Sequence, residues 1–154
     1  MPSITIESTQ QLKTLVGKEV VISDWVEVSQ DRIDEFADAT GDHQWIHLDR
    51  ERAARESPFG TTIAHGFLTL SLLSHLLGES LKFARVRMGV NYGLNRVRFT
   101  APVPSGSQVR GRFTSQALED IPDNGVQMTW AVVVERDGSD KACLIAEWLT
   151  WRYE

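Results

Sequence analysis

Along "VQMTWAVVVE" the apolar positions alternate. Val126, Met128, Trp130, Val132 and Val134 share one face, with Gln127, Thr129 and Glu135 on the other, as in a strand with one face against a core. Similar readings predict strands near Val20–Val28, Arg85–Tyr92, Arg96–Thr100, Gln108–Leu118 and Ala142–Arg152. Pro102, Pro104 and Gly106 mark one turn, Pro122 to Gly125 a second, and Asp137 with Gly138 a third. Consecutive strands joined by short turns pair antiparallel.

The periodicity changes elsewhere. Ile33, Phe36 and Ala37 follow i, i+3, i+4 spacing. Ser29 stands where an N-cap belongs, Asp31, Asp34 and Glu35 favour the positive end of the helix dipole, and Gly41 suits the C′ position. Asp49 is placed to cap a second helix, "RERAARES", which Pro58 stops. In "HGFLTLSLLSHLLG" the Leu and Phe residues cover nearly the whole circumference, predicting a helix buried on all sides and ending at Gly78. Such a helix needs a wrapper. The fold class that follows is α+β, with an antiparallel sheet wrapped around one long buried helix.

With 154 residues, 42% hydrophobic and 24% charged, the chain reads as a single globular domain over residues 1–154. The formal net charge of −5 argues against a nucleic acid or an anionic membrane as the main partner. Cys143 is the only cysteine, so no internal disulfide forms and a reducing cytoplasm fits. "MPSITIESTQ" lacks the layout of a signal peptide. The most apolar stretch, Phe67 to Leu77, falls short of the roughly 20 residues that a membrane span needs.

The chemistry concentrates in "FADATGDHQWIH". Three readings compete. His43 and His47, four apart, would form a metal clamp only on a helix and with a third ligand, from His65 or His75. An ordinary loop would use Asp42 to cap local backbone and pack His47 under Trp45. A catalytic pair would bring Asp42 and His47, five residues apart, to one water for proton transfer. No G-x-S-x-G elbow is present and Cys143 has no activating neighbours in sequence, so such a pair would work by acid–base rather than covalent chemistry. "AHGF" adds a glycine at a helix start, where Gly66 could offer an open amide to a polarised carbonyl or could simply be tolerated.

Together these segments resemble the MaoC-like hydratase/dehydratase family of hot-dog folds. Its pattern, an aromatic residue and a short spacer before G-D-x-N-P-[LIV]-H with a small residue six positions on, is matched by Phe36, Gly41, Asp42, Ile46, His47 and Ala53. Gln44 and Trp45 replace the Asn–Pro of the pattern, and "GDHQWIH" looks like the nodulation-protein-N-like branch. Losing the proline frees a backbone angle in the loop.

The resemblance implies reversible hydration of trans-2-enoyl thioesters to (R)-3-hydroxyacyl thioesters. Asp42 and His47 would activate the water between them, without assignment of the proton to either alone. The Gly66 amide would bind the thioester oxygen, with His65 beside it and Ser74 supporting the site. The resemblance also implies a homodimer with substrate, an acyl-CoA or acyl-carrier-protein thioester, at the subunit interface, and no tightly bound cofactor or metal. Arg85, Arg87, Arg96 and Arg98, with Lys82, are candidates for coenzyme A phosphates or an acidic carrier, or else form a solvated strand face. A hot-dog thioesterase and a non-catalytic acyl-thioester-binding or structural subunit are the alternatives.

Overall fold

The computed structural model describes residues 3–154. In chain order the elements are β1 (Ile4–Ile6), α1 (Thr9–Lys13), β2 (Glu19–Ile22), β3 (Val26–Val28), α2 (Gln30–Thr40), α3 (Trp45–Leu48) and α4 (Arg50–Glu56). There follow α5 (Gly66–Ser71), α6 (Leu73–Ser80), β4 (Leu81–Phe83), β5 (Met88–Arg98), β6 (Ser107–Ile121), β7 (Gly125–Arg136) and β8 (Leu144–Tyr153). The main sheet runs β2-β6-β7-β8-β5, with β3 also on β6, and every pairing in it is antiparallel. A separate parallel pair joins β1 to β4.

The inner face of the sheet is where alternation places it. Val126, Met128, Trp130, Val132 and Val134 are all buried and join one core with Phe113, Leu144 and Trp148. Against them lie Leu68, Leu72, Leu73, Leu76 and Leu77 from the α5–α6 segment. The α+β class and the helix laid across an antiparallel sheet are as expected.

The helix itself differs from the expectation. It is two short helices in continuation, broken at Leu72, whose ψ of −15° is flatter than an α-helix. The axis carries on, because Leu72 N–H bonds Leu68 O and Leu76 N–H bonds Leu72 O. It ends at Ser80 rather than Gly78. Nor is it buried all round. Phe67, Ser71, Ser74, His75 and Gly78 are exposed, a stripe at i, i+4, i+7, i+8 and i+11 that the dense leucines obscure. One sheet covers one side of a helix, and Phe67 with small and polar residues takes the other.

Two strand boundaries also move. The stretch Val20–Val28 is two strands on the same neighbour β6, separated by one extra residue between the Ile22–Arg112 and Val26–Val109 pairs, where the Oγ and N–H of Ser23 bond the N–H and carbonyl of Gly111. Arg85–Tyr92 and Arg96–Thr100 merge into the single edge strand β5, whose register against β8 shifts twice. The caps stand as read: Ser29 and Asp49 accept from the N–H groups of Arg32 and Arg52, and Gly41 has φ 83°.

Candidate active site

Three local devices bring the site together. Gly41, in the left-handed region, ends α2 with its N–H on Ala37 O, so Asp42 begins a loop in a fixed direction. The loop returns into the single turn of α3, which carries His47 inward to near-complete burial. The chain then passes through α4 and runs back beside it, with Ile63 N–H bonding Ile46 O. This places Ile63, Ala64 and His65 against His47, and His65 is the residue that precedes α5.

Asp42, His47 and His65 converge: one side-chain donor atom from each lies within 4.8 Å of the others. The hydrogen bonds fix which atoms are available. His47 Nδ1 is 2.7 Å from Ile63 O, and a carbonyl only accepts, so Nδ1 carries the proton and Nε2 holds a lone pair. By the same reasoning His65 Nε2 donates to the backbone carbonyl of Asp42 at 3.0 Å. The two imidazoles stack with centroids 3.8 Å apart and an interplanar angle of 24°, and Phe36 packs on His65 at 4.9 Å. The aromatic position of the sequence motif therefore supports the second histidine. His65 Nδ1 is buried without a hydrogen-bond partner among the described residues. Asp42 remains exposed, its Oδ1 accepting from Gln44 N–H at 3.3 Å.

Burial lowers the pKa of His47, and the neighbouring His65 adds to this. The bond to Ile63 O and the Asp42 carboxylate oppose the shift. The net effect favours neutral imidazole, the form that accepts a proton.

The metal reading meets a different constellation from the one anticipated. His43 turns outward to Asp38 at 3.1 Å, and His65 takes its place beside His47. The three groups that come together are therefore Asp42, His47 and His65, with one ring nitrogen on each histidine not committed to a carbonyl.

Gly66 opens α5, where first-turn N–H groups have no acceptor inside the helix. A Cβ at this position would meet the Phe99 ring at 3.0–3.1 Å. Gly66 lines a cleft of about 340 Å³ together with Ile63, Ala64, Thr69, Phe99 and Cys143. Neither Asp42 nor His47 lines it, so within this chain the cleft does not reach the pair. At the cleft floor burial pushes the Cys143 thiol up to about 11, leaving it protonated and unreactive at neutral pH.

The remaining candidates lie apart. Ser74 faces a second cleft with Leu70, Asn91, Gly93 and Trp148, and within one chain it does not join the Asp42–His47 pair. The arginines do not form one patch. Arg87 lies over Tyr153 and bonds the Glu154 carbonyl, with Arg85 two residues before it. Arg96 and Arg98 occupy the other end of β5, nine and eleven residues beyond Arg87, at most about 30–36 Å away at roughly 3.3 Å per residue. Sequence reasoning missed the Ile63 carbonyl that sets the His47 tautomer, because no side chain announces a backbone acceptor sixteen residues away.

A MaoC like domain matches residues 11–136. The chain belongs to this family. Within the MaoC-like family it is 50% identical over 143 residues to 3-hydroxyacyl-thioester dehydratase Z of Mycobacterium tuberculosis, covering 93% of this chain and 94% of that one. It is 49% identical over 147 residues to nodulation protein N of Rhizobium leguminosarum bv. viciae, covering 93% and 89%. This matches the branch that "GDHQWIH" suggests. Among solved MaoC-like structures, the unliganded R-hydratase PhaJ1 from Pseudomonas aeruginosa superposes with a TM-score of 0.71 at 26% identity, covering 90% of this chain and 82% of that one. The hot-dog fold expected from the motif is the fold observed.

Proposed function

We propose that the protein is an (R)-specific enoyl-CoA hydratase, working reversibly as a 3-hydroxyacyl-thioester dehydratase. The observation that carries this reading is the convergence of the Asp42, His47 and His65 side chains, with Nδ1 of His47 committed to the Ile63 carbonyl and His65 leading directly into the Gly66 helix start. The names of its relatives, a 3-hydroxyacyl-thioester dehydratase and an R-hydratase, support the same chemistry.

The reaction follows from the available atoms. Water sits between Asp42 and His47 Nε2, and the thioester oxygen accepts from Gly66 N–H. The water oxygen bonds the β-carbon as its proton moves to Nε2, and the electron pair of the C=C bond passes to the thioester oxygen as an enolate. The enolate collapses as the Asp42–His47 pair delivers a proton to the α-carbon. General-base help typically contributes about 10²–10⁴-fold, and an oxyanion donor about 10²–10³-fold.

The working unit in this reading is a homodimer. Among the described residues, β5 pairs only with β8 and has an open outer edge. Met88, Tyr92, Leu94 and, just beyond it, Phe99 are exposed there. An uncovered apolar edge favours a second strand.

The test is hydration of a trans-2-enoyl-CoA panel, followed by loss of the conjugated absorbance and chiral analysis of the product. Turnover to the (R) product supports the reading. No turnover at any chain length with folded protein, or thiol release instead of hydration, contradicts it.

A further inference from the structure

At the backbone carbonyl of His47, a second set of groups has no part in the chemistry above. Gln30, the first residue of α2, donates from Nε2 to the His47 carbonyl at 2.8 Å and to Asp34 Oδ1 at 2.9 Å. Its Oε1 accepts from the Thr62 hydroxyl at 2.7 Å. The amide cannot be reversed, because a backbone carbonyl and a carboxylate are acceptors only and both face the nitrogen. Thr62 is wholly buried, and its own carbonyl accepts from Ser105 N–H at 2.9 Å.

The closure of this network matters. Thr62 immediately precedes Ile63, whose carbonyl accepts from His47 Nδ1–H and whose N–H bonds Ile46 O. Residues 46–47 and 62–63 are therefore laced at three points: backbone to backbone, ring to backbone, and through the Gln30 amide. The amide contacts the backbone of one segment and the side chain of the other, so it sets their separation.

We propose that Gln30 and Thr62 are positioning residues that hold the Ile63 carbonyl opposite His47 Nδ1 and so keep Nε2 unprotonated and aimed at the water. This role rests on the hydratase reading for its kinetic consequence, but not for its structural one. The Ile63–Ala64 peptide is held on its other side by Ala64 N–H on Val103 O, so loss of the amide acts through the spacing of the two segments. The α3 turn moves away from the Ile63 carbonyl, the Nδ1 bond lengthens, and the Nε2–H tautomer, which cannot accept a proton, becomes populated. A displacement of order 1 Å in a group that must face a reacting water can cost about 10²-fold in rate.

Thr62→Val keeps the shape and removes the hydroxyl; Thr62→Ser restores the hydroxyl. Gln30→Leu removes both amide functions from a half-buried helix start and serves if Thr62→Val fails to fold. The histidine tautomer is read by long-range ¹H–¹⁵N correlation, with His47 assigned by loss of its signals in His47→Gln. The expected result is Nδ1–H in the unaltered protein and in Thr62→Ser, and a mixture of tautomers in Thr62→Val and Gln30→Leu. In enoyl-CoA hydration, kcat falls about 10- to 100-fold in the latter two with KM changed less than about threefold, and Thr62→Ser recovers most of it. Pure Nδ1–H in both disabled variants, or pure Nε2–H in the unaltered protein, overturns the proposal. If the unaltered protein hydrates nothing, the hydratase reading fails, and the tautomer spectra still decide whether the clamp exists.

Discussion

His65 lies face to face with His47, ring centroids 3.8 Å apart, while its Nε2–H holds the main-chain carbonyl of Asp42. One side chain at the start of α5 thus touches both His47 and Asp42, the ring of one and the backbone of the other.

His65→Phe keeps a ring between Phe36 and His47 and removes the bond to Asp42. The bond is worth about 0.5–1.5 kcal/mol, so melting shifts by less than roughly 6 °C. The hydration rate falls about tenfold or more, because the Asp42 loop is no longer tied. Calorimetry with a rate measurement separates the two. An unchanged rate would remove His65 from the positioning of Asp42.

The lowered pKa of His47 has a thermodynamic and a kinetic sign. The unfolded chain protonates this histidine near pH 6.5, before the folded protein does. Between the two values the unfolded state binds more protons, so this contribution to stability is full above pH 6.5 and is lost as pH falls toward the folded value. Urea midpoints from pH 7.5 down to 5 read it, and His47→Gln removes that part of the slope. The acid limb of kcat/KM follows the same group and lies below pH 6.5.

Gly66→Ala tests the close approach at the helix start. A methyl group there meets the Phe99 ring at 3.0–3.1 Å. That ring is half exposed and can swing, so the fold survives while the displaced ring and the methyl crowd the amide. The rate falls by up to about 10²-fold, and adding Phe99→Ala recovers part of it. A Gly66→Ala protein as active as the original would mean that the substrate does not approach this amide.

The open edge of β5 predicts a particle of about twice the 17.3 kDa chain mass in sedimentation equilibrium. Leu94→Arg places a charge on that edge and gives monomer with much reduced hydration activity. A monomeric original protein with full activity would exclude the edge as part of the site.

Much of this was legible in the chain because local rules agreed with the fold. Alternation found the inner face of β7, and Ser29, Gly41 and Asp49 marked helix ends that are seen as read. The long helix misled because leucine density hid the exposed stripe from Phe67 to Gly78. The short elements β1, α1, α3 and β4 left no periodic signal, and the one-residue offset between β2 and β3 is tied by a side-chain bond from Ser23 to Gly111, far away in sequence. Around the candidate site, spacing left Asp42 and His47 open among three readings and Gly66 between two, and it was the family resemblance that singled them out. Gln30, Thr62 and the Ile63 carbonyl were not visible, since their role comes from two segments lying side by side. The four arginines looked like a cluster in sequence, and an extended strand separates them.

The most direct measurement is the hydration rate of one trans-2-enoyl-CoA substrate by the original protein, Asp42→Asn and His47→Gln, each verified as folded by circular dichroism. The original protein turns over, and each variant loses about 10²–10⁴-fold without a matching loss of stability. Turnover in either variant within about twofold of the original would show that the water is not activated between these two side chains.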